Sequence, residues 1–218
     1  RMADAVPYQI EDTMSNVVLI YGRGGFCKMA IDIIEQSNAY RLFGIIEYHY
    51  PETKEIYGIK VIGNDSNLEE YLHKGYKKIF NAVMTKHNQY WRKPPYTMLK
   101  KIGYECINLV HNRAVIERTV HMGEGNLICA GAVIGSDTVI GSNCIINCNT
   151  VVSHDCIISD SCHIASGAVL ASGVVVGENT LIGQGCTIYN DVKIGPNTII
   201  KNGMHVFSDI PAGTHVME

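Results

Sequence analysis

Residues 139–158 read Val-Ile-Gly-Ser-Asn-Cys-Ile-Ile-Asn-Cys-Asn-Thr-Val-Val-Ser-His-Asp-Cys-Ile-Ile. Within them Ile140, Ile146, Val152 and Ile158 recur at every sixth residue. The same step runs from Val110 to Val206 without an insertion, meeting 17 large apolar residues, 15 of them Ile or Val. A second column of mostly small residues lies four further on, among them Ala132, Thr138, Cys144, Thr150, Cys156, Cys162 and Ala168. Glycine follows the apolar position at Gly123, Gly135, Gly141, Gly177, Gly183 and Gly195. A six-residue period of this kind is the signature of a parallel β-helix. Each hexad supplies a short strand and a corner, and three hexads close a coil of about 18 residues. The long residue fills the prism from a flat side, the small one fits the corner, and the core is continuous only because coils stack.

Bulk properties exclude several classes. The chain has 218 residues, a net charge of −3 and 18% charged residues, which gives no electrostatic footprint for nucleic acid. No apolar run is long enough for a membrane span. The eight cysteines include no CxxC pair. Cys144, Cys156, Cys162 and Cys186 fall in the small inward column, so they read as reduced, buried small residues of a cytoplasmic protein, not as a metal or disulfide framework.

The first half reads differently. Residues 1–15 read as a flexible tail, 16–109 as a small α/β domain and 110–218 as the β-helix. Residues 17–20 form a short apolar strand that runs into Gly22, Arg23, Gly24 and Gly25 and then into an apolar-periodic helix. Strand, glycine turn and helix open a Rossmann-like βαβ unit with a parallel sheet, whose helix-start amides would face a phosphate. Cys27 stands where the last glycine of a full GxGxxG would be expected, and a plain tight turn is the competing reading. Residues 42–46 make a second strand ending at Glu47, in the position that contacts ribose or base in such units. We expect a loop over 51–60, a short edge strand over 61–63 and a helix over 68–74 capped by Asp65 or Ser66. A third strand is expected over 78–83, then a broken helix over 86–102 starting near Pro95.

Residues just before each inward position point outward, and 12 of those 17 are apolar, among them Val115, Leu127, Val133, Val139, Ile145, Ile157 and Val169. Such a surface needs cover. Packing three prisms about a threefold axis supplies it, so we expect a homotrimer; the alternative is that other segments of the chain cover one face. The column Leu127, Ile145, His163, Leu181, Ile199 places a histidine inside an apolar face, with Asn147 as its diagonal neighbour. His154 lies at a corner beside Asp155. There it is either an ordinary surface histidine or a general base oriented by a carboxylate. His154 and His163 lie on different parts of the triangle and would meet only across subunits.

Residues 147–156 and 162–168, together with the glycine turn and the repeat, resemble the bacterial acetyltransferases of nucleotide-linked amino sugars, a family grouped with the sialic-acid O-acetyltransferases. The resemblance runs from Val17 to about Gly213. It implies a nucleotide-sugar-binding α/β domain followed by a trimeric, left-handed β-helix that uses acetyl-CoA. It implies His154 as the base, Asp155 as its acidic neighbour, Asn147 in the site and His163 near the thioester. An amide donor at Ser172 or Gly173 would face the oxyanion, and Gly183 joins the cofactor side. Gly22, Arg23, Gly24, Gly25, Glu47 and Arg92 would hold the nucleotide sugar. The expected reaction is N-acetylation by direct transfer, with active sites between subunits. O-acetylation of a sialic-acid-like sugar and a non-catalytic scaffold are the alternatives. The chain departs from the family in its first domain, with Glu47-Tyr-His-Tyr in place of aspartates, His87-Asn88 after the third strand, and Arg23 and Phe26 in the first loop.

Overall fold

A computed structural model describes residues 14–37, 39–48, 54–83 and 92–217. The expected tail, His49 to Pro51, and the expected helical stretch before Arg92, with His87 and Asn88, lie wholly or largely outside these residues.

Strand β1, Val17–Tyr21, is buried throughout. It turns at Gly22 into helix α1, Gly25–Ser37, which buries Cys27, Ala30, Ile31, Ile33 and Ile34 against the sheet. Strands β2 (Arg41–Glu47), β3 (Glu55–Ile56) and β4 (Ile59–Asn64) follow, then helix α2 (Leu68–His73), β5 (Lys78–Asn81), α3 (Lys93–Ile102) and β6 (Glu105–Cys106). The sheet order is β3-β4-β2-β1-β5-β6. Its pairs are parallel except β3 with β4. Order reverses between β1 and β5, and the carboxyl ends of strands at such a switch point are where open α/β sheets bind ligands.

Two local expectations are corrected. Residues 55–64 are not a loop and an edge strand but a hairpin. Tyr57 and Gly58 both take positive φ, 50° and 78°, which is the two-residue turn that joins twisted strands. β3 therefore takes the edge, and β4 is interior, paired to β2 through Glu47 and Asn64. The turn before α2 is capped by Asn64, whose side chain accepts from Ser66 N–H while its own N–H donates to Asn67. Asp65 is left to accept from the Tyr21 hydroxyl at 2.7 Å. Helix α3 starts at Lys93, with Pro94 and Pro95 in its first turn, where their missing N–H groups cost nothing, and ends on Gly103 at φ +112°.

From Leu109 onward the chain winds as a left-handed β-helix with three parallel sheets of seven, six and five two-residue strands. Up to Val206 each strand pairs with the strand 18 residues away, so Leu127, Ile145, His163, Leu181 and Ile199 stack in one row, and the last strand pairs at 16. The inward column from Ile128 to Val206 is buried. The corner column does more than fill space: Cys144, Cys156, Cys162 and Cys186 donate Sγ–H to carbonyls of the next coil at 3.0–3.2 Å. Thr138, Thr150 and Thr180 do the same through their hydroxyls. Cysteine and threonine recur there because each is a small residue that carries a donor. All eight cysteines are free thiols. A third column, six apart at the corner tips, takes positive φ and is Asn, Asp, Ser or Gly: Asn149, Asp155, Ser161, Gly167, Gly173, Asn179. Gly135 and Gly183 are small because a Cβ would lie 2.6 Å from the backbone nitrogen of the next coil.

The apolar exterior divides. Leu127 and Ile145 are fully buried, packed in one cluster with Val18, Ile20, Cys27, Ala30 and Ile31. Over these two residues the cover is the chain's own α/β layer and not a neighbouring prism. Val115, Val133, Val139, Ile157 and Val169 on the other faces remain 37–52% exposed. No helix among the described residues is long and apolar enough to cross a membrane.

Candidate active site

His154 stands on a corner tip, its side chain 60% exposed and that of Asp155 63% exposed. Asp155 takes φ +60°, so its residue type suits the corner as well as the histidine. Its Oδ2 lies 2.6 Å from His154 Nδ1. On the opposite side of the ring, Ser172 Oγ lies 2.9 Å from Nε2. Gly173 N–H donates to the His154 carbonyl at 3.1 Å, locking the two coils together. Of the two amides expected to face an oxyanion, Gly173's is thus engaged. That of Ser172 has no bonded partner among the described residues.

Asn147 and His163 form a second group. Asn147 Oδ1 accepts from Cys148 N–H at 2.8 Å, which turns its Nδ2 toward His163 Nε2 at 3.3 Å. Nε2 therefore accepts, and the ring is neutral with its proton on Nδ1. Burial, and then the Arg92 cation, push the His163 pKa down to about 4. Phe26, the second residue of α1, meets the ring edge-to-face at 5.8 Å. His163 thus sits where the helix that follows the glycine loop touches the prism.

The third group is the loop itself. Gly22 takes φ +99°, and a Cβ there would meet Val83 at 2.8 Å. Gly24 and Gly25 face open space, with nothing within 4 Å of a Cβ. Arg23 reaches Glu47, Nε to Oε2 at 3.3 Å, and Glu47 is only 9% exposed in its side chain while Arg23 is 40% exposed. A charged pair, bare glycine backbone and a helix start therefore share the carboxyl end of the sheet.

Arg92 is corrected. It is 1% exposed, and its guanidinium donates to the carbonyls of Asn143 (Nε, 2.9 Å), Asn81 (Nη1, 2.5 Å) and Gly125 (Nη2, 3.1 Å). Asn81 Nδ2 in turn donates to Asn143 Oδ1 at 3.1 Å. Arg92 fastens the α/β sheet to the prism through these carbonyls. Burial away from any carboxylate pushes its pKa down to about 10. Gly183 lies in the prism wall, where its N–H donates to Ile200 and its lack of Cβ admits the next coil.

The structure brings Asn147 to His163, Asp155 and Ser172 to His154, and Arg23 to Glu47. It does not join these three groups within one chain: the strand at 151–152 separates Asn147 from His154. Sequence reading missed Phe26 against His163 and the Ser172 hydroxyl on His154. The second had a signal, because Ser172 lies 18 residues from His154, one coil on.

Residues 17–87 match the PglD N-terminal domain model, and residues 137–172 and 173–203 match the bacterial transferase hexapeptide model. No curated protein matches the sequence. Among solved structures, a histidine-to-asparagine variant of perosamine N-acetyltransferase from Caulobacter crescentus, in complex with CoA and GDP-perosamine, is 30% identical over 91% of each chain with a TM-score of 0.85. PerB from the same organism, in complex with the same two molecules, is 31% identical over 89% of this chain and 90% of its own, with a TM-score of 0.82. The acetyltransferase domain of PglB from Neisseria gonorrhoeae is 25% identical over 92% and 95%, with a TM-score of 0.84. The α/β layer, the prism and this likeness over nearly the whole length agree: the chain belongs to the hexapeptide-repeat, left-handed β-helix family of acyltransferases acting on nucleotide sugars.

Proposed function

We propose that the chain transfers the acetyl group of acetyl-CoA to the amino group of a nucleotide-linked amino sugar. The observation that carries this is the His154 corner: a histidine with a carboxylate on Nδ1 and the Ser172 hydroxyl on Nε2, beside a Ser172 amide with no bonded partner among the described residues. The chemistry follows from those atoms. Asp155 can only accept, so Nδ1 carries the proton and Nε2 is the base. Nε2 takes the proton of the attacking amine, and the Asp155 carboxylate stabilises the imidazolium that forms. The Ser172 amide donates to the oxyanion, and CoA departs as the leaving group. Transfer is direct. Cys148, the rival nucleophile, has no histidine bonded to its thiol in the hydrogen bonds described, so Cys148→Ala should keep activity. N-acetylation is favoured over O-acetylation because the 30% identical relative is a perosamine N-acetyltransferase.

Residues 16–109 would hold the nucleotide sugar, with the diphosphate at the start of α1 and the sugar directed toward His163 and Asn147 of the same chain. His154 of a neighbouring subunit would complete the site, because the prism separates it from these residues within one chain. The exposed valines and Ile157 support a homotrimer. A cytoplasmic setting suits acetyl-CoA and eight free thiols.

The test is acetyl-CoA with a panel of GDP- and UDP-linked amino sugars, following thiol release and product stability to alkaline hydroxylamine. Release with a hydroxylamine-resistant product is expected; no release with any acceptor defeats the reading, and a labile product points to an ester. The shared site is tested by subunit exchange between His154→Ala and His163→Ala proteins. Some mixed interfaces should regain activity, and a verified exchange without recovery rules out sites between subunits.

A further inference from the structure

Acetyl transfer through His154 uses the amide of Ser172 and leaves its hydroxyl without a task. Yet that hydroxyl is the group placed on the base nitrogen, at 2.9 Å. Its position is fixed from two sides. Gly173, at φ +73°, donates to the His154 carbonyl at 3.1 Å, and Ala171 N–H donates to Ile188 at 2.9 Å. Ser172 is therefore held one coil beyond His154 by backbone on either flank.

Proton positions follow from the donors available. Nδ1 faces the Asp155 carboxylate at 2.6 Å and keeps its hydrogen, so Nε2 offers a lone pair and the Ser172 hydroxyl donates to it. Once Nε2 has taken the proton of the amine, the roles reverse. Nε2–H becomes the donor, Oγ the acceptor, and the serine's own hydrogen is free to turn outward. The group then gaining negative charge is the sulfur of the departing CoA.

We propose that Ser172 is a further catalytic residue, whose Oγ relays the proton from His154 to the leaving thiolate. This rests on the acetyl-transfer reading. The step balances without another reactant. The C–N bond forms and the C–S bond breaks. The amine proton moves to Nε2, the Nε2 proton to Oγ, and the Oγ proton to sulfur. Amine and thioester become amide and thiol, and histidine and serine return to their starting forms. Serine, histidine and aspartate in this order also suit a nucleophile, but the corner is open. His154 is 60% exposed in its side chain, so water would reach an ester on Oγ, whereas a relay leaves no covalent intermediate to lose.

The test compares wild type, Ser172→Ala and Ser172→Thr with two donors, acetyl-CoA and an acetyl thioester of a more acidic aryl thiol. With acetyl-CoA, Ser172→Ala should lower kcat roughly 10²-fold, as loss of an acid–base group does, with both KM values nearly unchanged. Ser172→Thr should restore most of the rate. With the aryl thioester, whose thiolate leaves unaided, the wild-type-to-alanine ratio should shrink to a few-fold. Equal ratios for both donors would mean that the hydroxyl only orients the base, and would overturn the relay. So would an alanine variant as fast as wild type, or an acetyl group found on the Ser172 peptide after treatment with acetyl-CoA. A wild type that releases no thiol with any acceptor fails at the acetyl-transfer reading itself, before the relay is at issue.

Discussion

Asn147 Nδ2 faces His163 Nε2 at 3.3 Å, and the Cys148 amide, 2.8 Å from Asn147 Oδ1, decides which end of the asparagine points at the ring. Burial, and then the Arg92 cation, hold His163 neutral in the folded chain, with a pKa of about 4 against 6.5 when free. Between those values the unfolded chain binds a proton that the folded chain does not. Stability should therefore fall as pH drops from about 6.5 to about 4 and lose no more through this group below that, with a slope of at most about 1.4 kcal/mol per pH unit. Urea unfolding of wild type and His163→Gln at pH 7 and pH 4.5 measures it. The variant should lose less stability on acidification, and an identical loss would show that His163 titrates normally.

Arg92 should behave as a fastener and not as a ligand-binding residue. Arg92→Met leaves three buried carbonyls, those of Asn81, Asn143 and Gly125, without its donors. A cost of about 3 kcal/mol or more is expected, read as a lower urea midpoint. At a temperature where the variant stays folded, the KM for the nucleotide sugar should be nearly unchanged. A large KM increase without loss of stability would return Arg92 to the substrate site.

His154→Ala should lower kcat by roughly 10²–10⁴-fold, the usual range for a general base. The thermal midpoint should barely move, because the side chain is 60% exposed and fills no core space. Asp155→Asn keeps a residue that tolerates the φ of +60° while removing the charge, so it should fold normally and lose activity. A loss of folding that matched the loss of activity would assign Asp155 to the corner alone.

The glycines should separate into two kinds. Gly135→Ala places a methyl 2.6 Å from His154 N, and Gly183→Ala one at the same distance from Asn202 N. Each should destabilise by about 1–3 kcal/mol, as overpacking does. Gly24→Ala meets nothing within 4 Å and should shift stability by less than about 0.5 kcal/mol. It should raise the KM for the nucleotide sugar if the ligand approaches that backbone. An unchanged KM would leave Gly24 as a plain turn residue.

The β-helix was legible because its cause is local and repeated. One apolar residue in six must face inward at each strand, and a sequence of short period displays that requirement 17 times. The corner histidine was legible for the same reason, since position modulo 18 fixes which residues stack, and this places Ser172 over His154 before any coordinates exist. The hairpin at Tyr57 and Gly58 was not read, because a tyrosine at positive φ carries no strong turn signal. What the tertiary structure alone decided is where the α/β layer rests on the prism. Leu127 and Ile145 look outward in the repeat and are fully buried, while Val139 and Ile157, of the same chemistry, stay exposed. Resemblance assigned Arg92 to the nucleotide sugar, and three main-chain carbonyls from distant parts of the chain hold its guanidinium in a buried joint. Periodicity determines how a chain packs against its own next coil. Contacts between unlike elements have no period, so only the folded chain shows which face is covered and which stays exposed.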